Sequence, residues 1–281
     1  MIDYPSESKL TILVTGGSGF VGQQILKAAS ALDINLRLIL RDTAHVSLNT
    51  NYKVVISPDL FLETSDWWAQ QCDGVDTVIH LAWYTHPLDY LNSIKNIDCL
   101  QGSLNLARGA IAAGVKRFVG VGTCFEYDTS FGNLSVDTPL KPETLYASAK
   151  ASLFNALQYW LSEHSVEFAW CRLFFLFGEN EHPLRLASYI KSRIANDLQA
   201  DLTQGTQVRD FLDVKEAGRL ILEHSLGHNT GPINICSGIP ITVRQMSEKI
   251  ADQYGGRHLL NFGARRDNPF DPARVVGVQS R

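Results

Sequence analysis

The sequence predicts an α/β protein built on a doubly wound parallel sheet, followed by a smaller C-terminal α/β lobe. Two observations carry this prediction. Apolar, β-branched runs alternate with segments of helical periodicity along the first 167 residues, and the first run leads directly into a glycine-rich turn. Strands that alternate with helices pair in parallel, because each helix carries the chain back along the sheet. The length of 281 residues suits one large domain with an added lobe.

The first element joins a strand, a tight turn and a helix. Residues 10–14 form an apolar run, and the glycines that follow satisfy both G-x-x-G-x-x-G and G-x-G-x-x-G. Such glycines permit positive φ and close backbone approach, while the free N–H groups of a helix start attract a pyrophosphate. The segment therefore predicts a Rossmann-like dinucleotide site. Its predicted cofactor-binding residues are Gly16, Gly19, Phe20, Val21 and Gly22.

Four more strands are predicted in the first half of the chain, with a helix of apolar three- and four-residue spacing at residues 92–114. These strands are residues 34–40, 52–57, 75–82 and 116–122. Ligands of doubly wound sheets bind beyond the carboxyl ends of the strands. Asp59 and Leu60, after the third strand, are therefore candidates for the adenine, and Leu81, Ala82 and Trp83, after the fourth, for the middle of the cofactor.

The end of the second strand bears on the kind of dinucleotide. An acid about 20 residues after the glycines binds a ribose 2′-hydroxyl, whereas an arginine there pairs with a 2′-phosphate. Our register puts Leu40 in the acidic position and Arg41 just after it, which favours NADP over NAD. A slip of one residue would return Asp42 to the place of the acid.

Three residues in the middle of the chain are predicted to carry chemistry. Thr123 follows the fifth strand, and Tyr146 and Lys150 lie four residues apart in a segment whose spacing predicts a helix. Residues four apart share a helix face. A cation beside a phenol lowers its pKa from about 10 toward the range of a general acid or base. Thr123 would then hold the substrate oxygen by a hydrogen bond.

Composition excludes several classes of partner. The formal charge of −4 shows no basic excess, which argues against nucleic acid and anionic membranes as partners. The five cysteines form no C-x-x-C pair, which argues against a metal site or a disulfide framework and favours a reducing compartment. With no apolar run of 18 residues and no hydrophobic signal region, we expect a cytoplasmic protein.

The motifs GGSGFVG, HLA, GTCFEY, YASAK, CRLFFLFG and QVRDFLDV, in this order, resemble those of the extended short-chain dehydrogenases/reductases, the NAD-dependent epimerase/dehydratase family. The resemblance implies an NAD(P)-binding Rossmann domain at residues 1–167 that carries the triad of Thr123, Tyr146 and Lys150. It also implies a mainly substrate-binding lobe at residues 168–281, interleaved with the first domain, for a nucleoside diphosphate sugar.

By the same resemblance, the tyrosine exchanges a proton with the sugar while the nicotinamide exchanges a hydride, and Lys150 also holds the nicotinamide ribose. Helices at residues 98–114 and 146–162 correspond to those that form a four-helix bundle in family homodimers. The asparagine that the family carries before the fifth strand aligns with Cys99, or less well with Asn96, which puts a proton relay in doubt.

Departures from the family narrow the expected chemistry. The family's sugar 4,6-dehydratases carry an Asp-Glu pair after the threonine, and its decarboxylases carry a glutamate, but here Cys124 and Phe125 occupy these places. Both reactions are therefore disfavoured. The chain looks most like the 4-ketoreductases that act on CDP- or dTDP-4-keto-6-deoxyhexoses. A 4-epimerase with retained NAD is the alternative, and a non-catalytic dinucleotide sensor is an alternative of another class.

Four side chains complete the predicted substrate site beside Thr123 and Cys124. Phe125 is one of them, and Phe175 replaces a family asparagine. An apolar wall suits a 6-deoxy sugar, because a buried unpaired hydroxyl costs about 1–3 kcal/mol. Arg209 and Arg265, or Arg266 in its place, are expected to contact the diphosphate, since the arginine fork matches phosphate oxygens.

Overall fold

The structure, a computed structural model, describes residues 9–43, 52–268 and 271–280. Its elements are numbered along the chain. The strands are β1 (Thr11–Thr15), β2 (Asn35–Leu40), β3 (Tyr52–Ile56), β4 (Thr77–His80), β5 (Arg117–Thr123), β6 (Asn133–Leu134), β7 (Glu167–Leu173), β8 (Phe175–Phe177), β9 (Ala200–Leu202), β10 (Val208–Asp213), β11 (Gly231–Ile235), β12 (Pro240–Thr242), β13 (Leu260–Phe262) and β14 (Arg274–Gly277). The helices are α1 (Phe20–Ala29), α2 (Ser65–Cys72), α3 (Lys95–Ala112), α4 (Leu145–Glu163), α5 (Leu186–Ala195), α6 (Val214–Leu226) and α7 (Val243–Gln253).

Seven strands form one wholly parallel sheet in the order β11-β7-β5-β4-β1-β2-β3. From β1 the chain runs outward through β2 and β3, and then crosses to β4 on the other side of β1. The order of the strands therefore reverses at β1, where ligands bind in folds of this kind. The doubly wound parallel sheet predicted from the sequence is confirmed.

The core lies on both faces of this sheet. Successive residues of a strand point to opposite faces, so Ile12 and Val14 of β1 join the cluster under α1 and α6, while Leu13 joins the cluster under α2, α3 and α4. Each of these three side chains is fully buried. Burial of such a side chain stabilises the fold by about 1.5–3 kcal/mol. Packing on both faces explains why the strands are continuously apolar.

The C-terminal part of the chain builds the smaller lobe and also returns to the large sheet. A second sheet has the order β12-β10-β14-β6, with β8 paired to β10, and β9 pairs with β13. A separate apolar cluster packs α5 against α7. In contrast, β7 and β11 lie in the large sheet, and α6 packs against α1.

The sequence pattern also predicts a single strand at residues 167–175, and this prediction is wrong in its extent. The large sheet keeps the chain only through Leu173, at the end of β7, and β8 then leaves that sheet to pair with β10, with Phe175 opposite Phe211. The apolar run continues across the break because β7 is buried at successive residues and β8 is half-buried along its length. The break moves Phe175 away from the large sheet and into the smaller lobe.

The fourth strand is also shorter than predicted. It ends at His80, and the next residues turn back toward β1: the amide of Leu81 donates to the Thr15 carbonyl oxygen, and the amide of Ala82 donates to the Thr15 hydroxyl at 3.4 Å. This places Trp83 above the sheet edge. Within the described ranges, no helix is both long and apolar enough to cross a membrane.

Candidate functional site

The turn between β1 and α1 can pack tightly because its glycines have no side chains. Gly16 has φ of +72°, and a Cβ there would lie 2.8 Å from the Ala82 nitrogen. A Cβ on Gly22 would lie 2.2 Å from the Gly16 carbonyl oxygen. Gly19 is the exposed N-cap of α1 and donates its amide to Gly16 at 3.0 Å. The start of α1 therefore lies open to an anion such as a pyrophosphate.

The predicted adenine end lies past β2 and β3. β2 ends at Leu40 as predicted, and Arg41 follows as an exposed residue. Asp59 caps the short 3-10 turn Leu60–Leu62 by accepting a hydrogen bond from the Phe61 amide at 3.1 Å, and Leu60 is buried. The structure therefore gives Asp59 a local role, and its contact with an adenine stays a prediction.

Lys150 lies deep between the large sheet and α4. Its side chain is buried, and Nζ donates to the Val121 carbonyl oxygen at 2.6 Å. Nζ also lies 3.8 Å from the centroid of the Trp83 ring. Burial lowers the pKa of Lys150 to about 7, although the nearby Glu126 and Cys99 act in the opposite direction. A lysine with this pKa exists in both its charged and neutral forms at neutral pH.

Tyr146, one helical turn earlier, is partly exposed and packs edge to face against Tyr90, with ring centroids 5.0 Å apart. Its pKa is raised well above the usual value by burial, and the neighbouring Tyr90 and Glu126 add to the shift. The side chain of Thr123 lies close enough to lower the pKa by hydrogen bonding, but this opposing effect is smaller. At neutral pH the phenol is therefore protonated and able to donate.

The predicted lowering of the Tyr146 pKa by Lys150 is wrong. The ammonium group is directed to the Val121 carbonyl oxygen and the Trp83 ring. Removal of the phenol from water therefore dominates its pKa, because burial disfavours the charged form.

Thr123 is fixed by a buried carboxylate that sequence reasoning missed. Glu126 is fully buried and accepts hydrogen bonds from the Thr123 amide at 2.8 Å, the Trp170 indole at 3.0 Å and Nε of Arg172 at 2.7 Å. Arg172 in turn donates to the Tyr127 hydroxyl at 2.9 Å. A buried hydrogen-bond network of this kind fixes the backbone that carries it, although one terminal nitrogen of the Arg172 guanidinium is buried without a partner. The sequence gives one sign of this network, because Glu126 and Arg172 are charged residues that each lie inside a largely apolar segment.

Aromatic rings form one wall beside the threonine. The rings of Phe125 and Phe175 meet edge to face at 5.9 Å, and Phe175 lies 6.1 Å from Phe211. Phe125 and Phe175 are partly exposed. Cys124 is instead buried in the apolar cluster beneath them, where burial raises the pKa of its thiol. The rings, rather than the thiol, are partly open to solvent.

The structure separates the predicted diphosphate contacts. Arg209 is buried beside the aromatic wall, with its guanidinium carbon 5.2 Å from the centroid of the Phe175 ring, and it donates to Asp271 at 2.6 Å. Arg265 is exposed and packs over the ring of Tyr189 at 4.6 Å. Only Arg209 is brought into contact with another predicted substrate-binding residue.

Its place within a predicted strand favours a structural role for His80 over that of a catalytic base, and the contacts of the ring agree with this expectation. Its Nδ1 lies 2.7 Å from the Thr15 hydroxyl oxygen, and its Nε2 lies 2.7 Å from the Ser103 hydroxyl oxygen. Burial lowers its pKa to about 3, and the positive charge of Lys150 adds to this shift. The ring is therefore neutral and joins β4 to β1 and α3.

Known proteins share this architecture. The dTDP-6-deoxy-L-talose 4-dehydrogenase (NAD(+)) of Aggregatibacter actinomycetemcomitans is 22% identical over 96% of this chain and 100% of its own length. UDP-N-acetylglucosamine 4-epimerase from Methanobrevibacter ruminantium M1 has a TM-score of 0.86 at 21% identity, covering 97% of this chain and 90% of that one. DesIV, a dTDP-glucose 4,6-dehydratase from Streptomyces venezuelae solved with NAD bound, has a TM-score of 0.84 at 21% identity, covering 96% and 88%.

These structural likenesses establish the fold. The model of one protein family, described as the NAD dependent epimerase/dehydratase family, matches residues 12–236. This match extends from β1 to the residue after β11, and so takes in both the glycine turn and the segment of Tyr146 and Lys150. Because it covers well over half of the chain, the protein belongs to the NAD dependent epimerase/dehydratase family.

Proposed function

We propose that the protein is an NAD(P)-dependent oxidoreductase that reduces the C4 keto group of a CDP- or dTDP-linked 4-keto-6-deoxyhexose. The observation that carries the proposal is a protonated phenol, Tyr146, beside Thr123, the residue that begins the turn bearing the ring of Phe125. Glu126, the carboxylate in this turn, is engaged by three donors and is fully buried, so it is unsuited to abstract a proton from a sugar carbon. The site therefore fits a reaction that needs only hydride and proton transfer.

The residues fit a nicotinamide dinucleotide, since the turn that packs closely at Gly16 and Gly22 leaves Gly19, the N-cap of α1, exposed to its pyrophosphate. When bound, this cofactor supplies the hydride. The open N-terminus of α1 would hold the pyrophosphate, and Lys150 the nicotinamide ribose. Because Lys150 and Tyr146 lie one turn apart on α4, both roles would bring the reacting end of the cofactor near the phenol.

In the proposed reduction, Tyr146 donates the proton. Its O–H bond breaks as a new O–H bond forms on the C4 oxygen of the sugar, and the phenolate left behind regains its proton from solvent. The Thr123 hydroxyl would hold the same sugar oxygen and polarise the carbonyl. A raised pKa keeps the proton on the phenol until the transfer, which suits reduction rather than oxidation.

The aromatic wall supports a 6-deoxy sugar as substrate. Phe125 and Phe175 would pack against the C6 methyl group, whereas a 6-hydroxyl placed there would lose its hydrogen bonds to water. The name of the Aggregatibacter relative describes a 4-dehydrogenase of dTDP-6-deoxy-L-talose, and oxidation at C4 of such a sugar is the reverse of the proposed reduction. We assign the diphosphate to Arg209 first, because it lies beside this wall, with Arg265 as a second contact.

We propose that the protein prefers NADP, because Arg41 directly follows β2. The name of the Aggregatibacter relative specifies NAD(+), and the DesIV structure contains NAD, so NAD is the alternative. We also propose that residues 168–281 mainly bind substrate.

A homodimer through α3 and α4 is proposed from the family resemblance, and exposed apolar side chains on these helices support it. Ile94 and Ile97 at the start of α3 are 70% and 41% exposed, and Tyr159 on α4 is 70% exposed. Contact with a second copy would remove these side chains from water.

A panel of nucleotide sugars tests the proposed reaction. We expect NADPH, and less efficiently NADH, to be oxidised in the presence of one CDP- or dTDP-4-keto-6-deoxyhexose. The product, analysed by NMR, should carry a single configuration at C4. If no sugar of the panel is reduced and denaturation releases tightly bound NAD, the 4-epimerase alternative replaces the reductase. Dinucleotide binding without any turnover would favour a sensor.

A further inference from the structure

Trp83 lies directly over the ammonium group of Lys150. Nζ is 3.8 Å from the centroid of the indole ring while it donates to the Val121 carbonyl oxygen. A cation over the face of an indole is attracted by the electron density of the ring, and the attraction increases as water is removed. Lys150 is only 2% exposed, so this contact is almost dry.

The indole is held in this position from behind by a buried amide. Its Nε1 donates to Oδ1 of Asn96 at 2.8 Å, and Nδ2 of Asn96 donates to the carbonyl oxygens of Tyr90 at 2.6 Å and Ser93 at 2.9 Å. Asn96 is fully buried. Rotation of the indole away from Lys150 would break a buried hydrogen bond, so the ring is fixed over the cation.

The other titratable groups that face Lys150 do not neutralise it by direct contact. They are His80 on β4, Cys99 on α3 and Glu126 in the turn after β5, with Tyr146 one turn earlier on α4. His80 and Cys99 are uncharged at neutral pH, because burial lowers the pKa of His80 to about 3 and raises that of Cys99 to about 11. Within the described ranges no carboxylate forms an ion pair with Lys150.

We propose that Trp83 is a positioning residue that keeps Lys150 charged and fixed in place. The face of its ring attracts the ammonium group in place of a carboxylate partner. The catalytic meaning of this role rests on the proposed function, in which a charged Lys150 holds the nicotinamide ribose. The physical claim concerns only the lysine and the ring.

A carbon-13 NMR titration of the lysine Cε atoms tests this claim on the whole protein without added ligand. The signal of Lys150 is the one that Lys150→Met removes. We expect Trp83→Leu to lower the pKa of Lys150 by about one unit and Trp83→Phe, which keeps a weaker ring, by about half as much. Trp160→Leu is the matched control, because it removes an indole from α4, the helix that carries Lys150, and this indole lies against Arg108 rather than Lys150.

An unchanged or raised pKa of Lys150 in both Trp83 variants would overturn the proposal, since a raised value means that the ring only excludes water. The phenylalanine variant keeps the comparison valid if the leucine variant does not fold. The titration uses neither sugar nor dinucleotide. If the pKa falls as expected while no sugar is reduced, the proposed reaction fails and the role of Trp83 stands.

Discussion

Substitution of Gly22 by alanine tests whether the turn after β1 needs the backbone approach seen in the structure. The added Cβ would lie 2.2 Å from the Gly16 carbonyl oxygen and 2.7 Å from the Gly17 Cα. Both are backbone atoms, so neither can move aside as a flexible side chain would. Overpacking of this kind destabilises a protein by about 1–3 kcal/mol. At about 2–4 °C per kcal/mol, Gly22→Ala should lower the melting temperature by about 2–12 °C.

To relieve this clash, the backbone of the turn must shift, and we expect the shift to weaken binding at the predicted pyrophosphate site. We expect the dissociation constant for NADP or NAD to rise at least about tenfold, which corresponds to about 1.4 kcal/mol of binding free energy. Isothermal titration calorimetry measures the affinity, and differential scanning calorimetry measures the melting temperature.

Gly17→Ala is the matched control within the same turn. Its added Cβ would meet the Leu26 side chain at 3.5 Å and the Leu40 side chain at 3.7 Å, which are ordinary contact distances. This variant should bind and melt nearly as the unchanged protein does. The reasoning is refuted if Gly22→Ala retains full affinity and stability, or if Gly17→Ala loses as much as Gly22→Ala.

Three further predictions concern the chemistry and the cofactor. Tyr146→Phe should lower kcat by about 10²–10⁴-fold, because it removes the proton donor, while calorimetry should show nearly intact dinucleotide affinity; unchanged turnover would exclude Tyr146 as the donor. Arg41→Ala should weaken NADP much more than NAD in the same binding assay, and an equal effect on both would reject our register at the end of β2. At pH 7, Lys150→Met should need more denaturant to unfold than the unchanged protein, and this difference in denaturant midpoint should shrink toward pH 10. A difference that grows with pH would contradict the pKa assignment.

The sign of the last prediction follows from proton linkage. The pKa of Lys150 is about 7 in the folded protein and near 10.5 in the unfolded chain. Between these values the unfolded chain holds a proton that the folded protein lacks, so the stability of the unchanged protein rises with pH. Methionine removes both the desolvated charge and this rise. Denaturation curves at several pH values measure the difference.

The sequence predicts the large sheet well because its strands are buried on both faces and separated by helices of clear period. The glycine turn is predicted equally well, since Gly16 needs a positive φ and a Cβ on Gly22 would clash within the turn itself. The strand after residue 167 is less well predicted. The apolar run does not show where β7 ends and β8 begins. That break depends on the pairing of β8 with β10, which lies far along the chain.

The electrostatics of the candidate site could not be predicted from spacing alone. The positions of Tyr146 and Lys150 on one helix are as expected, but the environment of each charge comes from other elements. Trp83 and Val121 hold the ammonium group, and Glu126 meets Arg172 across 46 positions of sequence. Only the packed structure shows that burial outweighs the expected effect of a nearby lysine on the phenol.

The central claim is that hydride is delivered to C4 of a 4-keto-6-deoxy sugar. The most direct measurement supplies NADPH and NADH deuterated at nicotinamide C4, in both stereochemical forms, together with the sugar that the panel selects, and locates the deuterium by NMR. We expect one of the two stereochemical forms of the deuterated cofactor to deliver one deuterium to C4 of the reduced sugar, with one cofactor oxidised for each sugar reduced. Interconversion of two C4 configurations without net cofactor oxidation, or deuterium at any other carbon, would contradict it.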